Sequence, residues 1–378
     1  MGRLWSRIAD YLRECDKLLL ILCFVSGFFG CVAVLSATRS LGHHRDFFMQ
    51  AFALLLGIAA AVIISSFDYR RIARFWPIIA AVTLIPVVLT FFIGYAPGNT
   101  DDKAWLMIAG ISFQPSELLK IGFTLTFGLH LSRVSGEINK LKNVLLLCVH
   151  GLFPVALIFV QGDVGTAIIF AFMFIGMMFA AGLKIWYWVA AFGSAVVAAP
   201  LAYFFLLNDD HRERIANIFN IEADLLGAGW QQWRGRIALA NGGFFGQGLF
   251  RGPLTQVKDG IPEGHNDFIF CSIGEELGML GCLTVVLLLL GICLRILKIS
   301  RNTNDRFGRF ICVGVFSMFA GQIIINLGMC LSILPVIGVT LPLFSAGGTS
   351  LLFLFAGIGL VMSVHMHRSS LKLHLHDI

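Results

Sequence analysis

Ten apolar runs dominate the sequence, near residues 18–37, 47–67, 75–96, 115–132, 143–161, 164–183, 187–207, 268–294, 310–333 and 348–366. Each is close to the roughly 20 residues a helix needs to cross a hydrocarbon core about 30 Å thick. Lipid offers the backbone no hydrogen bonds, so runs of this length must satisfy their own polar groups as helices. The chain is therefore expected to be all-α, a polytopic membrane protein with ten transmembrane helices folded as one integral membrane domain over 1–378. Composition agrees, since 57% of residues are hydrophobic and 13% are charged. A soluble domain carries about a quarter charged residues, so a water-soluble enzyme is all but excluded.

An even number of spans puts both termini on one side. The loops of that side hold 18 of the 28 Lys and Arg, from Arg3, Arg7, Arg13 and Lys17 to Arg368 and Lys372. The opposite short loops hold three, Arg39, Arg45 and Lys103. Basic residues mark cytoplasmic loops, so both termini are expected in the cytoplasm. Residues 18–37 end in Leu-Ser-Ala as a signal peptide can, but Asp10, Glu14 and Asp16 before them and the length of the run favour an uncleaved first span. Leu4, Trp5, Ile8, Tyr11 and Leu12 alternate with Arg7, Asp10 and Arg13, which predicts a cytoplasmic interfacial helix within 1–17.

One connection stands apart, a large extracytoplasmic loop over 208–267 between helices 7 and 8. Long loops in compact folds are usually functional. Inside it Trp230, Trp233, Ile237 and Ala240 recur at helical spacing with Gln231, Arg234 and Arg236 between them. That pattern predicts a helix on the outer membrane surface, either an anchor or a substrate contact. The nine cysteines form no C-x-x-C pair and read as small core residues. The net charge of +6 comes with no basic run interleaved with aromatics, so no nucleic acid partner is expected.

Charges inside the apolar runs narrow the function. Glu117, Lys120, Asp163, Glu275 and Glu276 lie within or at the mouths of spans, with Asp267 just before span eight. A charge at the centre of a membrane helix costs about 3 kcal/mol, so these residues must face a wet cavity or one another. Gln114-Pro115-Ser116-Glu117-Leu118-Leu119-Lys120 opens span four, and Glu117 and Lys120 at i and i+3 share a helical face, as a reactive pair or as a helix staple. Asp163, in a Gly-flanked reversal, either caps span six or joins the cavity. Residues 241–267 are glycine-rich and end in Pro262-Glu263-Gly264-His265-Asn266-Asp267, delivering Glu263, His265 and Asp267 to the bundle rim. No Gly-Lys-Ser/Thr follows, so this is no P-loop. Leu334-Pro335 to Ser350 is dense in Pro and Gly, which predicts a broken segment lining a protein cavity.

Trp105 with Gln114-Pro115-Ser116-Glu117-Leu118-x-Lys120, Gln161-x-Asp163-x-Gly165-Thr166, Pro262-Glu263-x-His265-x-Asp267-Phe268-Ile269-Phe270, Gly274-Glu275-Glu276-Leu277-Gly278 and the Leu334-Pro335 to Gly348 stretch, in this order, resemble the SEDS family (shape, elongation, division and sporulation). The likeness runs from the first span to the last, and Asn326-Leu327-Gly328-Met329 with Leu334-Pro335-Val336 looks more like its RodA branch than its FtsW branch. Gly162 stands where the family usually has Pro, Asn266 where Thr is common, Ala346 where Tyr is usual and Lys103 near a position normally Arg.

The resemblance implies a peptidoglycan glycosyltransferase that polymerises lipid II at the outer face of the bacterial cytoplasmic membrane and releases undecaprenyl pyrophosphate. It implies Asp267 as the catalytic base that activates an acceptor hydroxyl. Gln114, Glu117, Lys120, Asp163, Lys103, Glu263, His265, Glu276, Asn326 and Ser345 are expected to bind substrate or line its cavity. Positive charge for the pyrophosphate would come from Lys120, Lys103, an outer-loop Arg, or a divalent cation (Mg or Mn) held by Glu117 and Asp163. The implied partner is a class B penicillin-binding protein supplying transpeptidation. A lipid II flippase and a non-catalytic scaffold are the competing readings.

Overall fold

The computed structural model describes residues 11, 13–42, 44–96, 103–108, 110–205, 212 and 228–368. The interfacial helix expected within 1–17 and most of the first part of the long loop lie outside the described residues. Eleven long helices follow in order among the described residues: α1 (Lys17–Ala37), α2 (Arg45–Ser66), α3 (Trp76–Ile93), α4 (Pro115–Val134), α5 (Leu141–Val160), α6 (Val164–Ala180), α7 (Ile185–Phe205), α8 (Ala228–Gly242), α9 (Ile269–Arg301), α10 (Arg306–Cys330) and α11 (Gly348–Met366). All but α8 overlie the ten apolar runs. Eight, among the described residues, are long and apolar enough to cross a membrane: α1, α2, α3, α5, α7, α9, α10 and α11. The other two depart for visible reasons: α4 carries Glu117, Lys120 and Arg133, and α6 has 17 residues.

The helix starts are written locally. Asp16, Asp163 and Asp305 cap α1, α6 and α10 by accepting from Leu19, Thr166 and Gly308 backbone N–H groups. Pro115 occupies the first turn of α4, where its missing N–H costs nothing. Helix α10 is the hub, packed by α4, α6, α9 and α11, and α2 lies along α11. The charged helix α4 is buried over most of its length between α3 and α10. Helices α3 and α7 sit at the periphery with Phe92, Phe192, Phe204 and Phe205 exposed, as lipid-facing surface would be. All nine cysteines are free thiols, as expected of core residues.

Three features differ from the sequence reading. A small hairpin, β1 (Leu106–Ile108) against β2 (Ile111–Phe113), is antiparallel with Leu106 opposite Phe113, and a Tyr95–Trp105 bridge extends it. Six residues pairing locally satisfy their own backbone groups just before Pro115, a short-range solution hidden among helical signals.

Helix α8 packs on the bundle through a different face from the one its Trp spacing marks. Its buried face is Gln232, Gly235, Ala238 and Gly242, packed on α9 and α10, while Trp230 keeps 37% of its surface exposed. A Cβ on Gly242 would lie 1.9 Å from the Gly274 carbonyl oxygen, so the helix backbones touch. Small residues that allow such approach are invisible to a hydrophobicity pattern.

Helix α9 breaks at Gly278, whose φ of 65° and ψ of −162° leave the helical region. The groups freed there are retaken by the glycine-rich 243–248 turn. Met279 and Leu280 N–H groups donate to the Gly243 and Phe244 carbonyls (2.9 and 3.3 Å). The Glu275 and Glu276 carbonyls accept from Gln247 and Gly248 N–H groups (3.0 and 2.9 Å). The break has a geometric meaning. Helix α1 touches α9 at both ends, through Asp16 to Arg295 and Ser36 to Glu276, contacts about 30 Å apart at 1.5 Å per residue. The stretch 269–277 therefore lies at the end of the bundle opposite Asp16.

Between Cys330 and Gly348 the chain has no helix and threads the bundle, as its Pro and Gly density predicts. Glycines make the room: a Cβ on Gly30 would lie 2.3 Å from the Leu343 oxygen, and one on Gly165 would lie 2.4 Å from the Ile337 oxygen.

Candidate active site

The start of α4 places two opposite charges under cover. Lys120 Nζ donates to Glu117 Oε1 at 2.7 Å, with side-chain exposures of 1% and 6%. The second oxygen of Glu117 and the Ser116 hydroxyl are buried with no protein partner among the described residues. Gln114 Nε2 donates to Asp163 Oδ2 at 2.9 Å, while Asp163 Oδ1 accepts from the Thr166 N–H at 2.9 Å. Asp163 thus does both things expected of it as alternatives, capping α6 and joining the α4 group. Burial raises its carboxyl above the ordinary aspartate range, the Thr166 hydrogen bonds and Lys120 oppose the rise, and Glu117 adds to it. Gly162 beside it has a φ of 94°, which a proline ring forbids, so this turn is built differently from the family's usual Pro form.

Asp267 closes a tight turn. Glu263, at a φ of 51°, offers its carbonyl to the Asn266 and Phe268 N–H groups, and its carboxylate accepts from Asn266 Nδ2 at 2.7 Å. The Asp267 carbonyl accepts from Asn326 Nδ2 at 2.8 Å, and the same Nδ2 donates to the Val339 carbonyl at 2.7 Å. Ser345 Oγ donates to the Asn266 carbonyl at 2.7 Å, and the Ala346 N–H donates to the His265 carbonyl at 2.8 Å. The Asp267 carboxylate receives no hydrogen bond among the described residues. It keeps some exposed surface, yet the surrounding protein desolvates it; that burial first, then the charges of Glu263 and Asp163, push its carboxyl up to about 7. Asp163 feels Lys120 and Glu117 on one side and acts on Asp267 on the other, so it links the two halves of the site.

The structure thus gathers Gln114, Glu117, Lys120, Asp163 and Asp267, with Glu263 exposed and His265 half-buried at the rim. Asn326 and Ser345 come to the same place, but their polar atoms hold backbone. Lys103 lies exposed just before the hairpin. Glu276 is elsewhere: it accepts from Ser36 Oγ (2.8 and 2.7 Å) and Gln256 Nε2 (2.8 Å). Its neighbour Glu275 accepts from Leu254 N (3.0 Å), Thr255 N (2.7 Å) and Thr255 Oγ1 (2.8 Å). Both glutamates pin the 252–256 loop, a role sequence reasoning missed because the donors, the Ser36, Gln256 and Thr255 side chains and the Leu254 and Thr255 N–H groups, are uncharged and lie 20 or more residues away. Buried glutamines were missed too. Gln50 holds the 345–347 turn, and Gln232 donates to the Met329 and Leu334 carbonyls. An uncharged amide inside an apolar run was the available signal.

The residues do not fit the expected divalent cation as they are arranged. Glu117 is neutralised by Lys120, both Asp163 oxygens are taken by protein donors, and among the described residues no three His, Cys, Asp or Glu side chains converge.

The family model described as cell cycle protein, for FtsW, RodA and SpoVE, matches residues 14–370. Peptidoglycan glycosyltransferase MrdB of Escherichia coli K12 is 33% identical over 321 residues, covering 84% of this chain and 85% of its own length. A probable peptidoglycan glycosyltransferase FtsW of Trichlorobacter lovleyi is 31% identical over 366 residues, covering 95% and 94%. Among solved structures, a chain of a peptidoglycan synthase complex that coordinates polymerization and crosslinking superposes with a TM-score of 0.81 at 27% identity, covering 94% of this chain and 98% of that one. Rod shape determining protein RodA of Thermus thermophilus shares the fold, with a TM-score of 0.70 at 24% identity over 94% and 97%. Five motif blocks, the helical bundle and these matches agree: the chain belongs to the FtsW/RodA/SpoVE family, the SEDS proteins.

Proposed function

We propose that this protein is a peptidoglycan glycosyltransferase that polymerises lipid II at the outer face of the bacterial cytoplasmic membrane, with ten membrane crossings and both termini in the cytoplasm. The relatives supply the reaction class, and the observation that supports the site is the clamped turn that holds Asp267 at the bundle rim, linked through Asp163 to the buried Glu117–Lys120 pair, where burial pushes the Asp267 carboxyl up to about 7. An acceptor 4-hydroxyl is a poor nucleophile at neutral pH, and a general base works best with a pKa near the operating pH. Asp267 takes the hydroxyl proton as the new bond forms to the anomeric carbon of the donor. The bond from that carbon to the pyrophosphate oxygen breaks with inversion. Undecaprenyl pyrophosphate leaves as an anion and needs positive charge rather than a proton, which Lys103 supplies at the surface and Lys120 in part, its charge shared with Glu117. No step requires the cation site that the donor set does not form.

Similarity to both an MrdB and an FtsW fits elongation and division alike; the 326–343 motif favours the RodA branch. The solved neighbour in a polymerising and crosslinking complex supports a transpeptidase partner of the class B penicillin-binding type. The test is purified protein with labelled lipid II: glycan strands are expected from the native chain and none from a folded Asp267→Asn variant. Strands from that variant would remove Asp267 as the base. Lipid transfer across vesicles without strands from the native chain would replace the polymerase reading by a flippase.

A further inference from the structure

Gln50 is 1% exposed on the face of α2 that otherwise buries Ala53, Leu54, Gly57, Ala61 and Ser65. An amide buried in an apolar span is costly unless both its polar atoms are bonded. Both are. Its Nε2 donates to the Ser345 carbonyl at 2.9 Å and its Oε1 accepts from the Gly347 N–H at 3.1 Å. One side chain thus reads a carbonyl and an N–H two residues apart, as a neighbouring strand would. Glutamate lacks the donor for this contact and leucine lacks both groups.

The turn that Gln50 grips has a second face. Ser345 Oγ accepts from the Leu341 N–H at 2.8 Å and donates to the Asn266 carbonyl at 2.7 Å, while the Ala346 N–H donates to the His265 carbonyl at 2.8 Å. With Asn326 on the Asp267 carbonyl, three consecutive carbonyls, 265 to 267, are each fixed. Gln50 therefore touches neither Asp267 nor the cluster around Lys120, but it holds the turn that holds Asp267. From below, Gly30 sets the same segment, with no room for a Cβ beneath Leu343.

We infer that Gln50 is a positioning residue for glycosyl transfer, acting through the 345–347 turn to keep the Asp267 carboxylate in place; this rests on the reading of Asp267 as the base. A base misplaced by about 1 Å can cost on the order of 100-fold in rate. Loosening the turn also admits water to Asp267, and resolvation returns a raised carboxyl toward its ordinary range.

The test measures lipid II polymerisation by Gln50→Leu, Ser345→Ala and the double variant, with kcat, KM, pH profile and thermal melting recorded on the same full-length preparations, and Asp267→Asn alongside. Gln50→Leu is expected to lower kcat about 10- to 100-fold with KM little changed, and to move the acid limb of the profile to lower pH. The double variant should be no slower than the slower single one, because both break one chain of contacts. Wild-type kcat in Gln50→Leu, an unmoved acid limb, or losses that multiply in the double variant would overturn the inference. Should Gln50→Leu not fold, Ser345→Ala carries the same kcat and pH prediction. Activity in Asp267→Asn would instead defeat the reading of the base, whatever the Gln50 variants do.

Discussion

At the scale of single residues the site is a set of charges held away from water for one another's sake. Lys120→Met leaves Glu117 buried without its partner and should destabilise the protein by about 3 kcal/mol or more. Adding Glu117→Gln to Lys120→Met should restore most of that stability without restoring polymerisation. Thermal melts in detergent beside a strand assay separate the two effects, and a double variant with wild-type turnover would reduce the pair to a helix staple. Asp267 makes a prediction of opposite signs. Burial pushes its carboxyl up to about 7 from an ordinary 3.8, so Asp267, as the proposed base, is ionised only above that value and activity should fall as pH drops through about 7. A raised carboxyl means the fold favours the protonated form, so its contribution to stability is present at low pH and is lost as pH rises toward 7. Comparing melts of the native chain and Asp267→Asn over this range isolates that loss. The acids were legible in the sequence because charges in apolar runs are conspicuous. Gln50, Asn326 and Ser345 hold backbone 295, 59 and 79 residues away in the sequence, and nothing local announces such contacts.

At the scale of elements the instructive cases are α8 and α9. The hydrophobic run placed a span at 268–294, and the helix there is real but broken at Gly278, with the 243–248 turn set into the break. Glu275 and Glu276 lock the loop that follows. Glu275→Ala strands the Leu254 and Thr255 N–H groups and should cost about 1–3 kcal/mol for the orphaned donors, read as a lowered melting temperature. It should also open the 252–256 loop to proteolysis; unchanged melting and cleavage would show that the loop is held by something else. Periodicity failed for α8 because its Trp face is the conspicuous one, while the packed face is built on Gly235, Ala238 and Gly242, whose value lies in what they lack. The Asp163 cap and the proline start of α4 were legible because they act within one turn of the chain.

For the molecule as a whole, the termini of the bundle are tied together on the face opposite the site. Arg295 of α9 meets Asp16 at the start of α1 in two directions, Nε to both carboxylate oxygens at 2.9 and 2.8 Å and Nη2 at 2.7 Å, with His365 of α11 at 3.8 Å. Arg295→Met leaves the fully buried Asp16 side chain with only the Leu19 N–H and His365 beside it and should cost up to about 3 kcal/mol, Arg295 itself being a quarter exposed. Asp16→Asn in the same background should recover part of it, and melts of the three variants decide. Reporter fusions after residue 368 should read cytoplasmic; an external reading would invert the topology and place the acidic site on the wrong face for lipid II polymerisation. The places of the long apolar helices, the side rich in basic residues and the acids worth suspecting all follow from the order of residues, because lipid forces each long apolar run to satisfy its own backbone and makes each charge within it costly. Which polar atoms meet does not follow. The unwound 334–347 segment, the break at Gly278 and the three clamped carbonyls before the end of the Asp267 turn are settled by contacts between distant parts of the chain, whose partners are fixed when the bundle packs.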